Sequence, residues 1–200
     1  MQLDDFRADL AAAWELARDL LAIPLPRRWR HSVGVYEAAG TIGSTVTDDR
    51  DLLRRAAVLH DIGYAPLLVK TGFHALDGAT YLQSIGADRR VVSLVAHHSC
   101  ASVEAEERGL AQELGAFAVE REDLVDALIY CDMTVSPEGQ PVSVDVRIAE
   151  VLKRYGATSV VGRFMRRAES DLRNATSRVE ARLAQASVTP GQGRRAAQPM

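Results

Sequence analysis

Helical periodicity runs through nearly the whole chain and constrains the fold more than any other feature of the sequence. Apolar residues recur at spacings of three and four, for example Leu10, Trp14, Ala17 and Leu21, as an amphipathic helix requires. No segment shows the sustained alternation of β-branched residues between turns that is typical of strands. The sequence therefore predicts an all-α fold, a compact bundle of several helices.

Helix-breaking residues divide this pattern into segments. Two prolines separate the first helix from a second, which is predicted over about 27–39. Gly40 opens a predicted loop, and Thr47 or Asp48 is the expected N-cap of a third helix that ends at Gly63. Further helices are predicted at about 74–85, 88–98, 103–115, 121–133, 144–155 and 158–186.

The length of 200 residues fits one domain with a tail. We predict a single helical domain over 1–186, with its motifs in a core of about 25–135 and its C-terminal helices over 144–186. The stretch 187–200 has Gly, Pro and Gln but no apolar period, which predicts a disordered tail. The strongly charged last helix is either a solvated helix with one thin apolar stripe or the contact of a homodimer.

Charge and hydropathy argue against several classes of partner. The net charge of −3 is not that of a protein that coats DNA or RNA. No stretch approaches the roughly 18 uninterrupted apolar residues of a membrane span, and the acidic beginning lacks the bases of a signal peptide. The two cysteines, Cys100 and Cys131, form no CxxC pair. We expect a cytoplasmic protein without bulk nucleic-acid binding or membrane contact.

The five histidines all fall between positions 31 and 98. Histidine is the commonest metal ligand and a frequent acid or base, so this clustering indicates a functional site. His60 is followed by Asp61, and on a helix both fall with Leu53 and Ala57 on the stripe that faces the core. A buried carboxylate is costly unless a cation or a strong donor lies near it.

Two further groups belong with this pair. His31 lies on the preceding helix, and Asp132 lies near the end of the apolar helix that contains DALIYCD. Four groups on three helices can converge inside a bundle. Imidazoles with carboxylates suit manganese, iron, cobalt, nickel or zinc better than calcium. The sequence therefore predicts a metal site formed by His31, His60, Asp61 and Asp132.

The order of these residues resembles the HD superfamily of metal-dependent phosphohydrolases, which is named for its His-Asp pair. RHSVGVYEAA and AAVLHDIGY look like its first two motifs. The resemblance implies a helical HD-domain bundle with the metal in its core. It also implies a phosphohydrolase that cleaves a small phosphomonoester or phosphodiester, preferably of a nucleotide, through a metal-activated water. His60 and Asp61 would be catalytic, with one or two divalent metals, magnesium being a further candidate.

The other histidines extend the resemblance. Members with two metals carry extra histidines between the pair and the last aspartate, which implies that His74 and either His97 or His98 hold a second metal, with Asp61 bridging. Neighbouring residues on a helix point about 100° apart, so one of the doublet would be a ligand while the other contacts substrate or solvent. The candidate phosphate-binding cations are Lys70, Arg27, Arg28 and Arg30.

Two alternatives to a phosphohydrolase stay open. Some helical proteins with the same ligand order are di-iron oxygenases. A non-catalytic module that binds a metal or a nucleotide for regulation is the other, although the complete ligand set argues against it. The chain lacks the Gly-Tyr-Pro signature of the cyclic-dinucleotide branch of the superfamily and the second domain of the alarmone hydrolases, so its branch is open.

Overall fold

The computed structural model describes residues 9–188 of the chain. Within this range the regular structure is helical, apart from an isolated antiparallel bridge between Val135 and Pro141. The predicted all-α fold is therefore confirmed. The helices are α1 (Leu10–Leu21), α2 (Pro26–Val46), α3 (Arg50–Leu59), α4 (His74–Ser84), α5 (Arg89–His97), α6 (Ala101–Arg108), α7 (Ala111–Leu114), α8 (Glu122–Met133), α9 (Val144–Tyr155) and α10 (Val160–Val188).

Helix α2 continues past its predicted end at 39, and the loop expected at Gly40 is wrong. The buried face of α2 runs through Val35, Ala39, Ile42 and Val46 at helical spacing. A glycine inside a helix costs only about 0.5–1 kcal/mol relative to alanine. Burial of two large aliphatic side chains outweighs that cost, so the helix runs through Gly40.

The N-cap of α3 differs from the prediction for the same reason. Because α2 extends further, the connection to α3 is short, and the capping residue is Asp49 instead of Thr47 or Asp48. The Asp49 carboxylate accepts a hydrogen bond from the Leu52 backbone N–H at 3.0 Å, which satisfies one of the free amides at the start of the helix.

The single helix predicted over 103–115 is two helices in the structure. Helix α6 ends at Arg108, and the following Gly109 adopts the left-handed conformation with φ of 71°. Its backbone N–H bonds to carbonyls of the last turn, as in other glycine-terminated helices. The chain then turns into the short α7.

Two apolar clusters build the core and meet at α8. The larger is built mainly by α1 to α5 and α8, with contributions from α6, α7 and the end of α10, and the smaller joins α8, α9 and α10. Leu128 of α8 belongs to the larger cluster, whereas Ile129 belongs to the smaller. Asp132, in the last turn of α8, therefore lies where α9 and α10 approach the rest of the bundle.

The long α10 packs through one apolar stripe within this chain. The buried residues of the stripe include Phe164, Ala168, Leu172, Ala175 and Val179. This arrangement agrees with a solvated helix, while the dimer contact stays a prediction. The helix includes the first two residues of the predicted tail, and the rest of that tail, 189–200, lies outside the described residues. No helix in the described range combines the length and apolar character needed to span a membrane.

Candidate metal centre

Three chain segments bring the four predicted ligands together in the buried interior. His31 lies in the second turn of α2, and Asp132 lies in the last turn of α8. His60 and Asp61 follow directly after α3, which ends just before them and not at Gly63 as predicted. Their neighbouring positions therefore come from the chain turning out of a helix into a 3₁₀ turn, and not from one continuous helical face.

Two more histidines reach the same site. His74 is the first residue of α4, and His98 follows the last residue of α5. The six side chains form two groups, and within each group one potential ligand atom per residue lies within 4.8 Å of the others. The first group is His31, His60 and Asp132, and the second is Asp61, His74 and His98.

In the first group both histidines direct Nε2 inward. The His31 Nε2 lies 2.9 Å from Asp132 Oδ1, and the His60 Nε2 lies 3.9 Å from the same oxygen. The His31 Nδ1 donates to the Ser136 carbonyl at 3.1 Å. The His60 Nδ1 donates to the Ala57 carbonyl at 2.7 Å. Because a carbonyl only accepts, the Nδ1 of each ring carries a proton, which leaves Nε2 as the atom that faces the centre.

The second group has the same arrangement. The His74 Nε2 lies 3.0 Å from the His98 Nε2 and 3.6 Å from Asp61 Oδ1. The His98 Nδ1 donates to the Val95 carbonyl at 2.6 Å, so His98 also directs Nε2 inward. Each imidazole is thus oriented by a backbone carbonyl or by the neighbouring ring.

Asp61 belongs to the second group and also faces the first, each with a different oxygen. Its Oδ2 lies 3.4 Å from the His60 Nε2 and 3.9 Å from the His31 Nε2. Its Oδ1 faces the His74 Nε2 of the other group. This is the placement that a carboxylate needs to contact two cations at once.

The histidine doublet is separated, and of the two alternatives His98 is the one that lies with the other ligand candidates. Helix α5 ends at His97, and His98 already has an extended backbone with ψ of 154°. The His97 Nε2 donates to the Phe117 carbonyl at 3.0 Å, away from both groups. The expected difference of about 100° assumes a continuous helix, whereas here the chain leaves the helix between the two residues.

The donor set fits divalent transition metals. The His60 Nε2 is buried and has no hydrogen-bond partner among residues 9–188, although an unpaired buried polar atom is costly. The other donors are imidazole nitrogens and carboxylate oxygens, which suit manganese, iron, cobalt, nickel or zinc. Each group can hold one such ion.

Electrostatics keep the two aspartates ionised. Burial opposes ionisation of Asp61, but the guanidinium of Arg28, whose Nη1 donates to Asp61 Oδ2 at 2.8 Å, and the nearby imidazoles hold the pKa of Asp61 well below its usual range. Burial also opposes ionisation of Asp132, but the hydrogen bond with His31 outweighs this effect and holds the pKa of Asp132 well below its ordinary value. Both carboxylates therefore carry the charge that a metal ligand needs.

The two histidines of the second group are held neutral. Burial and the facing imidazole of His98 lower the pKa of His74 well below its ordinary value. Burial and the imidazole of His60 lower the pKa of His98. A neutral imidazole is the form that binds a metal, so the protein holds both rings in the competent protonation state at neutral pH.

A pocket opens over the second group, and an aromatic residue that the sequence analysis did not single out lies in its wall. The Tyr64 ring stacks on the His74 imidazole, with centroids 4.2 Å apart and 15° between the planes. The Arg28 guanidinium carbon lies 3.9 Å from the centroid of the same tyrosine ring. Tyr64 thus contacts both a ligand candidate and a cation. Its position three residues after Asp61 was the only feature of the sequence that could have indicated this role.

Two polar residues near Asp132 were also missed. The Ser99 hydroxyl donates to Asp132 Oδ2, and Ser99 itself has a left-handed backbone with φ of 50°. Such a conformation is unfavourable for a residue other than glycine and often accompanies a functional site. The Arg147 Nη2 lies 3.8 Å from Asp132 Oδ1, reaching over from α9. Neither contact has a local sequence pattern.

Three of the four predicted phosphate-binding cations lie away from the two groups. Arg27 and Arg30 are exposed, and both donate to the carboxylate of Glu138. The Nε–oxygen distances are 2.6 Å for Arg27 and 3.0 Å for Arg30. Lys70 is exposed on the loop before α4. Of the four, only Arg28 contacts a ligand candidate in the described range, because its position on α2 is one turn before His31.

The comparison with known proteins matches this part of the chain. The profile of the HD domain family matches residues 28–131. That segment holds all six side chains of the two groups except Asp132, which is the next residue along the chain. No protein of solved structure shows a significant match.

Several curated proteins are similar over part of the chain. A tRNA (cytidine(56)-2'-O)-methyltransferase of Picrophilus torridus is 38% identical over 88 residues, which are 43% of this chain and 24% of that protein. A ribonuclease Y of Thermus thermophilus is 35% identical over 69 residues, 34% of this chain and 12% of that protein. The chain thus spans a quarter or less of the length of these relatives. Because the family profile covers half of the chain, the chain belongs to the HD domain family, the superfamily of metal-dependent phosphohydrolases.

Proposed function

We propose that this protein is a metal-dependent phosphohydrolase that cleaves a small phosphomonoester or phosphodiester of a nucleotide with a metal-activated water. The observation that carries the proposal is the position of Asp61. It faces two histidine-containing groups with its two oxygens and contacts the guanidinium of Arg28. Two cation positions about one carboxylate, next to an arginine, are suited to an anionic substrate.

Divalent metals at these positions would lower the pKa of a bound water and withdraw charge from phosphoryl oxygens. The residues of the chain supply the rest. Ionised Asp61 can accept a hydrogen bond that orients the attacking water. Arg28 donates one N–H to Asp61, and its remaining N–H groups can donate to the oxygens of a phosphate at the pocket mouth.

The names of the relatives support a nucleotide substrate. One pair is named for methylation of tRNA, and the other is named ribonuclease Y. A phosphodiester is therefore a natural first substrate class to examine, beside phosphomonoesters.

The test combines elemental analysis of protein purified without chelator with a screen of generic and nucleotide phosphoesters. We expect at least one transition metal per chain and metal-dependent turnover. The substitution Asp61→Ala should abolish turnover and reduce bound metal, because it removes the carboxylate between the two groups. The exposed Asp48 offers a matched control, and Asp48→Ala should leave both measurements unchanged.

The alternatives give different results in the same experiments. A di-iron oxygenase would consume oxygen when loaded with iron and would turn over no phosphoester. A regulatory module would bind metal and show neither reaction. Metal-free protein that is not stabilised by any added metal would overturn the proposal altogether.

A further inference from the structure

Helix α9 places two arginines on the wall of the metal pocket. Arg147 and Arg154, seven residues apart, share one side of the helix. Both line the pocket over the metal centre, and both also line a second pocket beside it. Arg28 is the third residue common to the two pockets. The second pocket is otherwise lined by residues that include Pro24, Leu25, Pro26 and Pro137.

The charges on this wall are not balanced by α9 itself. Arg147 Nη1 donates to Glu150 at 2.7 Å, and Arg154 donates to the other oxygen of the same carboxylate. Two cations thus share one anion. The remaining carboxylate near Arg147 is Asp132, 3.8 Å from its Nη2, and Asp132 is a metal-ligand candidate. Among the described residues, the lining of the second pocket contains arginines and no carboxylate, so a cationic excess faces that pocket.

Arg147 is also buried more deeply than its local partners explain. The residue is 6% exposed, and its Nε has no hydrogen-bond partner among the described residues. Taking a guanidinium out of water is costly unless its donors are paired. An ion pair within one helix is worth only about 0.2–0.5 kcal/mol, so the pairing with Glu150 alone does not account for a buried arginine at this position.

We propose that Arg147 and Arg154 form a second phosphate subsite, so that the substrate carries another phosphoryl group beside the one that is cleaved. The inference rests on the proposed function for the metal site and adds the substrate class. A nucleoside polyphosphate and the 5′-phosphorylated end of an oligonucleotide share this chemistry. Helix α9 lies beyond the segment matched by the family profile, 28–131, so the subsite is outside the matched core.

The decisive variant is Arg154→Gln, because Arg154 is less buried than Arg147 and its loss is tolerable for folding. The neighbouring Lys153 is exposed and lines neither of the two pockets, so Lys153→Gln is a control with the same charge change on the same helix. Arg147→Lys keeps the charge but removes the fork of donors, and it serves as a second variant.

Binding to metal-loaded protein is measured by calorimetry with adenosine 5′-(α,β-methylene)diphosphate and with AMP. We expect Arg154→Gln to weaken binding of the diphosphate about 10- to 100-fold, the loss typical of one charged hydrogen bond, and to change AMP binding about two-fold at most. Arg147→Lys should likewise weaken binding of the diphosphate more than binding of AMP. Lys153→Gln should change neither. Equal weakening of both ligands, or no weakening of either, overturns the subsite.

Turnover measurements separate this inference from the proposed function. With p-nitrophenyl phosphate, which has no second phosphate, Arg154→Gln should raise KM by a smaller factor than it does with ADP, and Lys153→Gln should leave the KM for both unchanged. If Arg154→Gln raises KM for ADP more than for AMP, the substrate is a nucleoside polyphosphate. If it raises KM for pApA more than for ApA, the substrate is the 5′-phosphorylated end of an oligonucleotide. Selective binding without any turnover would overturn the hydrolase and leave the subsite standing. Turnover without any dependence on Arg154 would overturn the subsite alone.

Discussion

Gly63 packs against the backbone of His74 so closely that a β carbon at position 63 would lie 1.9 Å from the His74 carbonyl oxygen. The same β carbon would lie 2.6 Å from the backbone nitrogen of Gly78. Both neighbours are backbone atoms and cannot rotate away. The contact joins the turn after Asp61 to the first turn of α4, and it places His74 next to Asp61.

The substitution Gly63→Ala should therefore separate α4 from this turn. We expect the free energy of unfolding to fall by about 2–3 kcal/mol, the upper range for overpacking, and the protein to lose metal from the second group. Urea unfolding and elemental analysis check both effects. Gly40→Ala is the control, because its β carbon would meet only the Arg54 side chain, at 3.5 Å; it should be neutral or stabilise the helix by up to about 1 kcal/mol. Equal stability of the two variants would contradict the packing described for Gly63.

The histidine doublet gives a pair of variants that differ by one position. His98→Ala should remove the metal of the second group, because the His98 Nε2 faces His74 and Asp61. His97→Ala should keep the full metal content and lose only its hydrogen bond to Phe117, worth about 0.5–1.5 kcal/mol. Metal-to-protein ratios of the two variants decide the matter. A loss of metal in His97→Ala would show that the ligand set is assigned wrongly.

The Tyr64 ring supports both His74 and Arg28, and its hydroxyl has no part in that support. Tyr64→Phe should keep kcat/KM close to that of the unmodified protein. Tyr64→Ala removes the stacked face and should lower kcat/KM about 10-fold, since contacts of these two kinds are each worth about 0.5–1.5 kcal/mol. Comparable losses in both variants would instead assign the role to the hydroxyl.

The buried histidines predict how the stability of the metal-free protein depends on pH. The pKa values of His74 and His98 lie below 6.5 in the folded protein, because burial and neighbouring imidazoles disfavour the charged rings. The unfolded chain therefore takes up more protons below pH 6.5 than the folded chain does, so the stabilising contribution is present above that pH and is lost as pH falls.

Chemical unfolding in the presence of a chelator, from pH 8 to pH 5, tests this expectation. The free energy of unfolding should decline below about pH 6.5, and the double variant His74→Gln, His98→Gln should flatten the decline. The low pKa of Asp61 acts in a separate, more acidic range, where its stabilising charge is neutralised. A stability that rises between pH 7 and pH 5 would contradict the neutral state of the two rings.

The helices could be predicted because their apolar faces are local in the sequence. The prediction was wrong where two local preferences competed. Gly40 favours a break in the helix, whereas burial of Ile42 and Val46, which follow it, favours continuation. Only the packed structure shows which of these two free-energy contributions is larger. The start of α3 was misplaced as a consequence, because the longer α2 leaves only a short connection before it.

The candidate site was predictable to the extent that its members share a buried face or a short spacing. His31, the His60-Asp61 pair and Asp132 met that condition. The choice between His97 and His98 depends on where α5 ends, which no nearby residue specifies. Arg147 contacts Asp132 only because α9 packs back over α8, and a contact of that kind leaves no trace in local sequence.

The directions of the helices around the site have an electrostatic consequence of their own. His60 and His98 follow the last residues of α3 and α5, and Asp132 lies in the last turn of α8, so three helices point their carbonyl ends at the centre. Helix α4 instead begins there, at His74, with its amide end. Aligned peptide dipoles make carbonyl ends favourable for cations and amide ends favourable for anions. The backbone alone therefore contributes a field that favours a cation from the ends of three helices and an anion from the start of α4, and no single side-chain substitution would abolish it.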